Sequence, residues 1–308
     1  MTSLFDIQIN GFGGVDFQQP GLALTDLKKA VTALAAQQTR RFFLTLITDS
    51  LPALEKKFSH LEQLRAHDGE VAAAVCGYHL EGPWLSPEPG FRGAHDPQWM
   101  GAPEEAAFDR LQAAAGRQIR LVTLAPEWPG SQDFIRHLTQ QGVQVSLGHT
   151  DAGDHEIDAA IAAGAQFCTH LGNGVPAMLP RHDNIMQRLL ARDALTAFLI
   201  PDGIHLPLPV LRNFYRAKPE GKVLFTTDAM AAAGAPPGRY RLAGHELEVG
   251  ADLVVRLPGS AQFSGSALTP PRMVANVSAW LGLDPDTARH RCSTALAEAF
   301  GIELPDIT

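Results

Sequence analysis

The sequence predicts an α/β protein, a (β/α)8 TIM barrel with a small hairpin inserted after its eighth strand. Three observations carry this. Eight apolar, often β-branched runs recur along 308 residues, and stretches of helical periodicity lie between them. Five of the later runs close on a residue able to bind a metal or move a proton: HLEGP at Glu81, LGHT at His149, THLGN at His170, PDGIH at His205 and TTDAM at Asp228. Strands alternating with helices imply βα units and a parallel sheet, and eight such units need about 250 residues to close.

The elements follow in order. SLFDIQIN opens the chain and LTDLKKAVTALAAQ follows with helical spacing; RFFLTLIT precedes LPALEKKFSHLEQLRA. VAAAVCGYHLE is the third run, IRLVTLAPE leads into SQDFIRHLTQQ, and VQVSLGHT into HEIDAAIAAG. AQFCTHL, LTAFLIPDG and KVLFTTDAM complete the eight, the last ending near Ala229. A loop punctuated by proline and glycine then carries a hairpin over about residues 240–255. Two helices are expected over 271–281 and 284–300, the second opening with Asp284 as cap and Pro285 at its first position. No repeat, low-complexity tract or linker divides residues 1–308, so one domain is expected.

Bulk composition narrows the partners. With 45% apolar and 19% charged residues the chain can bury a large core, and its net charge of −8 argues against nucleic acid or an anionic membrane as partner. Its three cysteines, Cys76, Cys168 and Cys292, form no CxxC pair and read as buried thiols of a reducing cytoplasm. MTSLFDIQIN has no secretion signal, and no apolar run reaches the length of a bilayer span, so a cytoplasmic location is expected.

The strand ends carry the chemistry. Barrel strands converge on one rim, which brings residues distant in sequence together. Zinc in hydrolases is held by imidazole nitrogens and carboxylate oxygens, with one position left open, and Glu81, His149 and His170 supply that set. Asp228, at the end of the eighth run, is placed to take a proton from water and return it to a leaving amine. His79 lies two residues before Glu81, on the same face of the strand, and reads as a supporting residue rather than a ligand.

These motifs resemble the N-acetylglucosamine-6-phosphate deacetylases of the amidohydrolase superfamily. The likeness runs from DIQINGFGGVDF through HLEGPW, GHT, THLGN, DGIH and TTDAM to FSGSAL, in matching order over nearly the whole chain. It implies that Glu81, His149 and His170 bind one divalent ion, zinc or similar, with Asp228 as catalytic acid/base. Where many amidohydrolases carry HxH for a second metal, this chain has Gln8 and Asn10, so a single-metal site is expected. The resemblance further implies that His95 polarises the acetyl carbonyl and that Ala94 offers backbone to the sugar. It assigns Asn173, Gly174 and His205 to the sugar phosphate, and Phe263, Ser264 and Gly265 to the acetyl end. Arg181 is implied as a phosphate ligand, in some members supplied to a partner's site, which brings the expectation of a homodimer.

The chain departs from the family pattern in three places, one of them the WLSPEPGFRGAH loop that leads from HLEGP to His95. No segment for the family's accessory β-sandwich is found at either end, and Gly172 stands where a larger side chain is common, which suggests a wider sugar pocket. Two other functions remain open: deacylation of another N-acyl amino sugar or amide, and a non-catalytic sugar-phosphate sensor. The presence of Asp228 and all three ligand candidates weighs against the sensor.

Overall fold

A computed structural model describes residues 2–258 and 265–307. Eight strands form one parallel sheet in sequence order: β1 (Leu4–Ile9), β2 (Thr39–Ile47), β3 (Val75–Glu81), β4 (Ile119–Leu124), β5 (Gln144–Leu147), β6 (Phe167–Cys168), β7 (Thr196–Leu199) and β8 (Val223–Phe225). Helices that follow or link them include α1 (Leu24–Ala36), α2 (Leu51–His67), α3 (Gly69–Ala74), α4 (Glu105–Ala114), α5 (Ser131–Gln140), α6 (Asp154–Ala163), α7 (Ile185–Leu190) and α8 (Leu208–Ala217). The result is a curled, TIM-like α/β architecture. β1 is buried along its whole length, as a strand covered on both faces must be. No helix among the described residues is long and apolar enough to cross a membrane.

Several boundaries differ from expectation for local reasons. The VAAA half of the third run belongs to α3 rather than to a strand. Its alanines favour helix, and the Asp68 side chain caps it by accepting from the Glu70 and Val71 amides. β6 is only two residues long: Thr169 N still donates to Leu147 O, but His170 takes positive φ and turns toward the rim. Beyond β8, three antiparallel strands, β9 (Gly238–Leu242), β10 (His245–Val249) and β11 (Val255–Arg256), form a separate small sheet. A final helix, α9 (Pro270–Leu281), is followed by helical residues 285–300, where Asp284 accepts from Thr287 N as cap.

The sheet is filled in layers. At its lower end Phe5, Ile7, Phe43, Leu121, Phe167 and Phe198 pack together, and Phe300 of the last helix closes them off, its ring centroid 5.1 Å from Phe43 and 5.6 Å from Phe167. Above them the residues turn polar, with His79, Thr45 and Thr123 buried together. Side chains alternate along a regular strand, yet Ile7 joins the lower layer while adjacent Gln8 reaches Glu81. An irregularity in β1 between Asp6 and Ile9 makes both directions compatible.

The first and last strands meet. Ile9 forms a parallel bridge with Ala229, and Asn10 N donates to Ala229 O at 2.7 Å. Below this, buried Asp6 accepts from Thr226 Oγ1 at 2.6 Å, Thr227 N at 2.9 Å and Thr227 Oγ1 at 2.7 Å. Burial pushes its carboxyl above the usual range, and the hydrogen bonds from Thr226, Thr227 and Gln8 work against that shift. Asp6→Ala leaves these donors unpaired, at about 1–3 kcal/mol each. We expect a loss of about 3 kcal/mol or more in urea unfolding. An Asp6→Ala protein as stable as its parent would refute the clasp.

Candidate active site

Strand ends deliver the site residues, and backbone conformation aims them. Glu81 ends β3, while His149, His170 and Asp228 follow β5, β6 and β8. The last three all have positive φ, at 52°, 27° and 49°. Left-handed backbone in a side-chain-bearing residue costs about 1–3 kcal/mol and persists only where its surroundings enforce it. Here it occurs at three of the residues singled out on chemical grounds.

The three ligand candidates converge. Glu81 Oε1 lies 2.9 Å from His170 Nε2 and 3.3 Å from His149 Nε2, and the two ring nitrogens are 3.1 Å apart. Ligands about 2.0–2.1 Å from a tetrahedral zinc stand about 3.3 Å from one another. The triangle therefore has the edges that a shared cation imposes, and its donors are of the right kind. His149 Nδ1 lies 2.7 Å from the Phe91 carbonyl and donates to it, which leaves the Nε2 lone pair facing the triangle. The close walls need glycine: a Cβ on Gly174, at φ +62°, would stand 2.6 Å from His149 Nδ1. Burial alone would raise the Glu81 carboxyl, but the close imidazoles of His149 and His170 outweigh it and hold the group well below the usual carboxylate range.

His95 joins the group, its ring nitrogen within 4.8 Å of the ligand atoms of Glu81 and His149. Burial and the neighbouring His149 push its pKa down to about 3, so the ring is neutral. Nδ1 lies 2.8 Å from Thr48 Oγ1. When the hydroxyl donates to Nδ1, the ring proton sits on Nε2 and His95 is a hydrogen-bond donor. Asp228 is pushed up to about 7, by burial first and then by the charge of Glu81, against His170, His205 and a hydrogen bond from Asn10. Such a carboxyl can exchange protons near neutrality.

These residues face a cavity of about 510 Å³. Its lining also includes Ala94, Asn173, Gly174, His205 and Gly265, so the structure brings those candidates together with the triangle. Arg181 is exposed and does not line it. Phe263 and Ser264 lie outside the described residues. Gly172 does not open extra room: a Cβ there would meet Leu206 and Phe214 at 2.9 Å, because those side chains already fill the space. His79 lies beneath the site, 2.8 Å from Thr123 Oγ1, and burial lowers its pKa to about 4.

Two supporting residues escaped the sequence reading. Thr48, just past β2, shares the rim address that singled out the others. Asp202 accepts from the Ile204 and His205 amides at 2.8 Å and holds His205 Nδ1 at 2.6 Å, which turns the far side of that ring to the cavity. The aspartate three residues before the histidine in PDGIH was its signal.

No family model matches the chain. It is 37% identical over 312 residues to the N-acetylglucosamine-6-phosphate deacetylase of Bos taurus, across 97% of this chain and 73% of that one. It is 32% identical over 298 residues to the N-acetylgalactosamine-6-phosphate deacetylase of Escherichia coli O157:H7, across 97% and 77%. Among solved structures it superposes with a TM-score of 0.87, at 30% identity, on a mutant N-acetyl-D-glucosamine-6-phosphate deacetylase from Mycobacterium smegmatis in complex with N-acetyl-D-glucosamine-6-phosphate; 98% of this chain and 78% of that one are covered.

Proposed function

The chain belongs to the N-acetylglucosamine-6-phosphate deacetylase family, and on that premise we propose that it hydrolyses the acetamide of N-acetylglucosamine 6-phosphate to acetate and glucosamine 6-phosphate. The carrying observation is the Glu81, His149 and His170 triangle, with Asp228 on the wall of the same cavity. We take residues 1–308 as one catalytic unit built on a (β/α)8 barrel, with the small antiparallel sheet inserted after β8.

Glu81, His149 and His170 would hold one divalent cation, zinc by donor type. When bound, such an ion lowers the pKa of water and polarises a carbonyl. The protein's own groups do the rest. Asp228 takes a proton from the attacking water and later gives it to the departing nitrogen, which would otherwise leave as a very poor anion. His95, with its proton on Nε2, donates to the acyl oxygen as negative charge develops there. Asn173, Gly174 and His205 address the sugar phosphate, with Ala94 along the sugar and Gly265, Phe263 and Ser264 at the acetyl end. Arg181, exposed on its loop, is assigned to the phosphate of a second copy in a homodimer, where a guanidinium suits phosphate oxygens. The relative named for N-acetylgalactosamine 6-phosphate makes the C4 epimer the second reading.

Acetate release from both epimers decides the substrate, and failure with both would end the assignment. Chelation should abolish turnover and lower Tm by about 5 °C, with zinc restoring both. Asp228→Asn should fold and keep its metal yet lose about a thousandfold or more in kcat; activity near the parent's would remove Asp228 from the mechanism. Arg181→Ala should raise KM for the phosphorylated sugar about tenfold or more with a smaller change in kcat. An unchanged KM, or a protein monomeric by ultracentrifugation, would sink the shared-site assignment.

A further inference from the structure

Two side-chain amides from the start of the chain reach the rim, and they are used differently. Gln8 is engaged at both ends: Nε2 donates to Glu81 Oε2 at 3.1 Å, and Oε1 accepts from Thr169 Oγ1 at 3.1 Å. Asn10 is engaged at one. Its Nδ2 donates to Asp228 Oδ1 at 2.7 Å, while its buried Oδ1 has no hydrogen-bond partner among the described residues. The side chain is 4% exposed and lines the central cavity. The amide nitrogen is the end that faces Asp228, and the ionised form of that carboxylate accepts from it. A buried carbonyl oxygen without a donor costs stability. At the wall of a cavity, a ligand can bring the missing donor.

We propose that Asn10 is a substrate-contacting residue whose Oδ1 accepts a hydrogen from the scissile nitrogen, first as the amide N–H and then as the amine. The inference rests on the deacetylase reading above. Asp228 can protonate the departing nitrogen only from hydrogen-bond distance, and Asn10 is bonded to that same carboxylate. A nitrogen held there comes within reach of both side chains. In the substrate it carries one hydrogen. When the C–N bond breaks, its electron pair goes to nitrogen, the Asp228 proton adds there, and the acyl carbon keeps the hydroxyl derived from water. The resulting amine offers a hydrogen to Asn10 while another faces Asp228. Asn10 thus recognises the leaving group and holds its proton donor in place.

The test is calorimetric binding of two phosphates to the zinc-loaded protein and to Asn10→Ala. The ligands are glucosamine 6-phosphate and 2-deoxyglucose 6-phosphate, which lacks a donor at C2. The parent should prefer the amine, and Asn10→Ala should lose about tenfold of that preference, the scale of one hydrogen bond to a charged partner. Affinity for the 2-deoxy sugar and zinc content should stay close to the parent's. A parent that binds both sugars equally would overturn the proposal without any variant. So would an Asn10→Ala protein that keeps the preference, or one that loses both affinities alike, as a merely structural residue would. If the parent binds neither sugar phosphate and releases no acetate, the deacetylase reading itself fails and this inference falls with it.

Discussion

Asp6 and the hydroxyls of Thr226 and Thr227 hold the first strand against the eighth, and the placement of Asp228 follows from that seam. Asp228 is fixed from both sides: Thr227 before it is tied to Asp6, and Ala229 after it accepts the Asn10 amide. Its side chain is then held by the Asn10 side chain from the same first strand. The partners are more than 200 positions apart in sequence, with |i−j| of 220 and 221 for the Asp6 contacts. A buried carboxylate is tolerated here because several donors meet it. An apolar residue at position 6 would still fit a buried strand, but it would leave the turn that carries Asp228 without its anchor.

The polar layer is supported from below. Phenylalanines from β1, β2, β6 and β7 pack against Phe300 and close the lower end of the sheet. Packing of this density has no room for a second arrangement of the strands. That rigidity lets the rim keep His149, His170 and Asp228 in left-handed backbone. With each turned this way, short departures from the strands aim three side chains into one cavity, and ring nitrogens 3.1 Å apart can share a partner. Geometry held by packing is what a site needs when its interactions must be in place before the reaction begins.

Much of this was legible in the sequence because strand ends share an address. Alternating apolar runs and helical spacing mark the eight strands, and the polar residues closing them mark the rim. What the pattern could not show are contacts between residues with no common period. Asp6 looks like a stray acid in a buried run, and nothing local to it points to Thr226. Thr48 sits at a strand end like the histidines, but threonine is common in strands and carries little signal. The VAAA stretch reads as strand by hydrophobicity and forms helix, because a cap at Asp68 decides a short alanine-rich segment. Gly172 suggests an open pocket only until Leu206 and Phe214, from a later βα unit, fill the space beside it.

The two amides also bear on how many cations the rim would take. A second ion needs free lone pairs from the first strand, where imidazoles would offer them. Gln8 instead gives its nitrogen to Glu81 and commits its oxygen to Thr169. Asn10 turns its nitrogen to Asp228, which leaves one amide oxygen as the sole uncommitted acceptor of the pair. A single neutral carbonyl is a weak ligand for a borderline-soft cation, but a good acceptor for an N–H. Under the proposed reading, Gln8 and Asn10 therefore act through hydrogen bonds rather than as metal ligands. They also bring donors to both carboxylates of the site, Glu81 and Asp228, where imidazoles bound to a metal would have had no N–H to offer them from the same atoms.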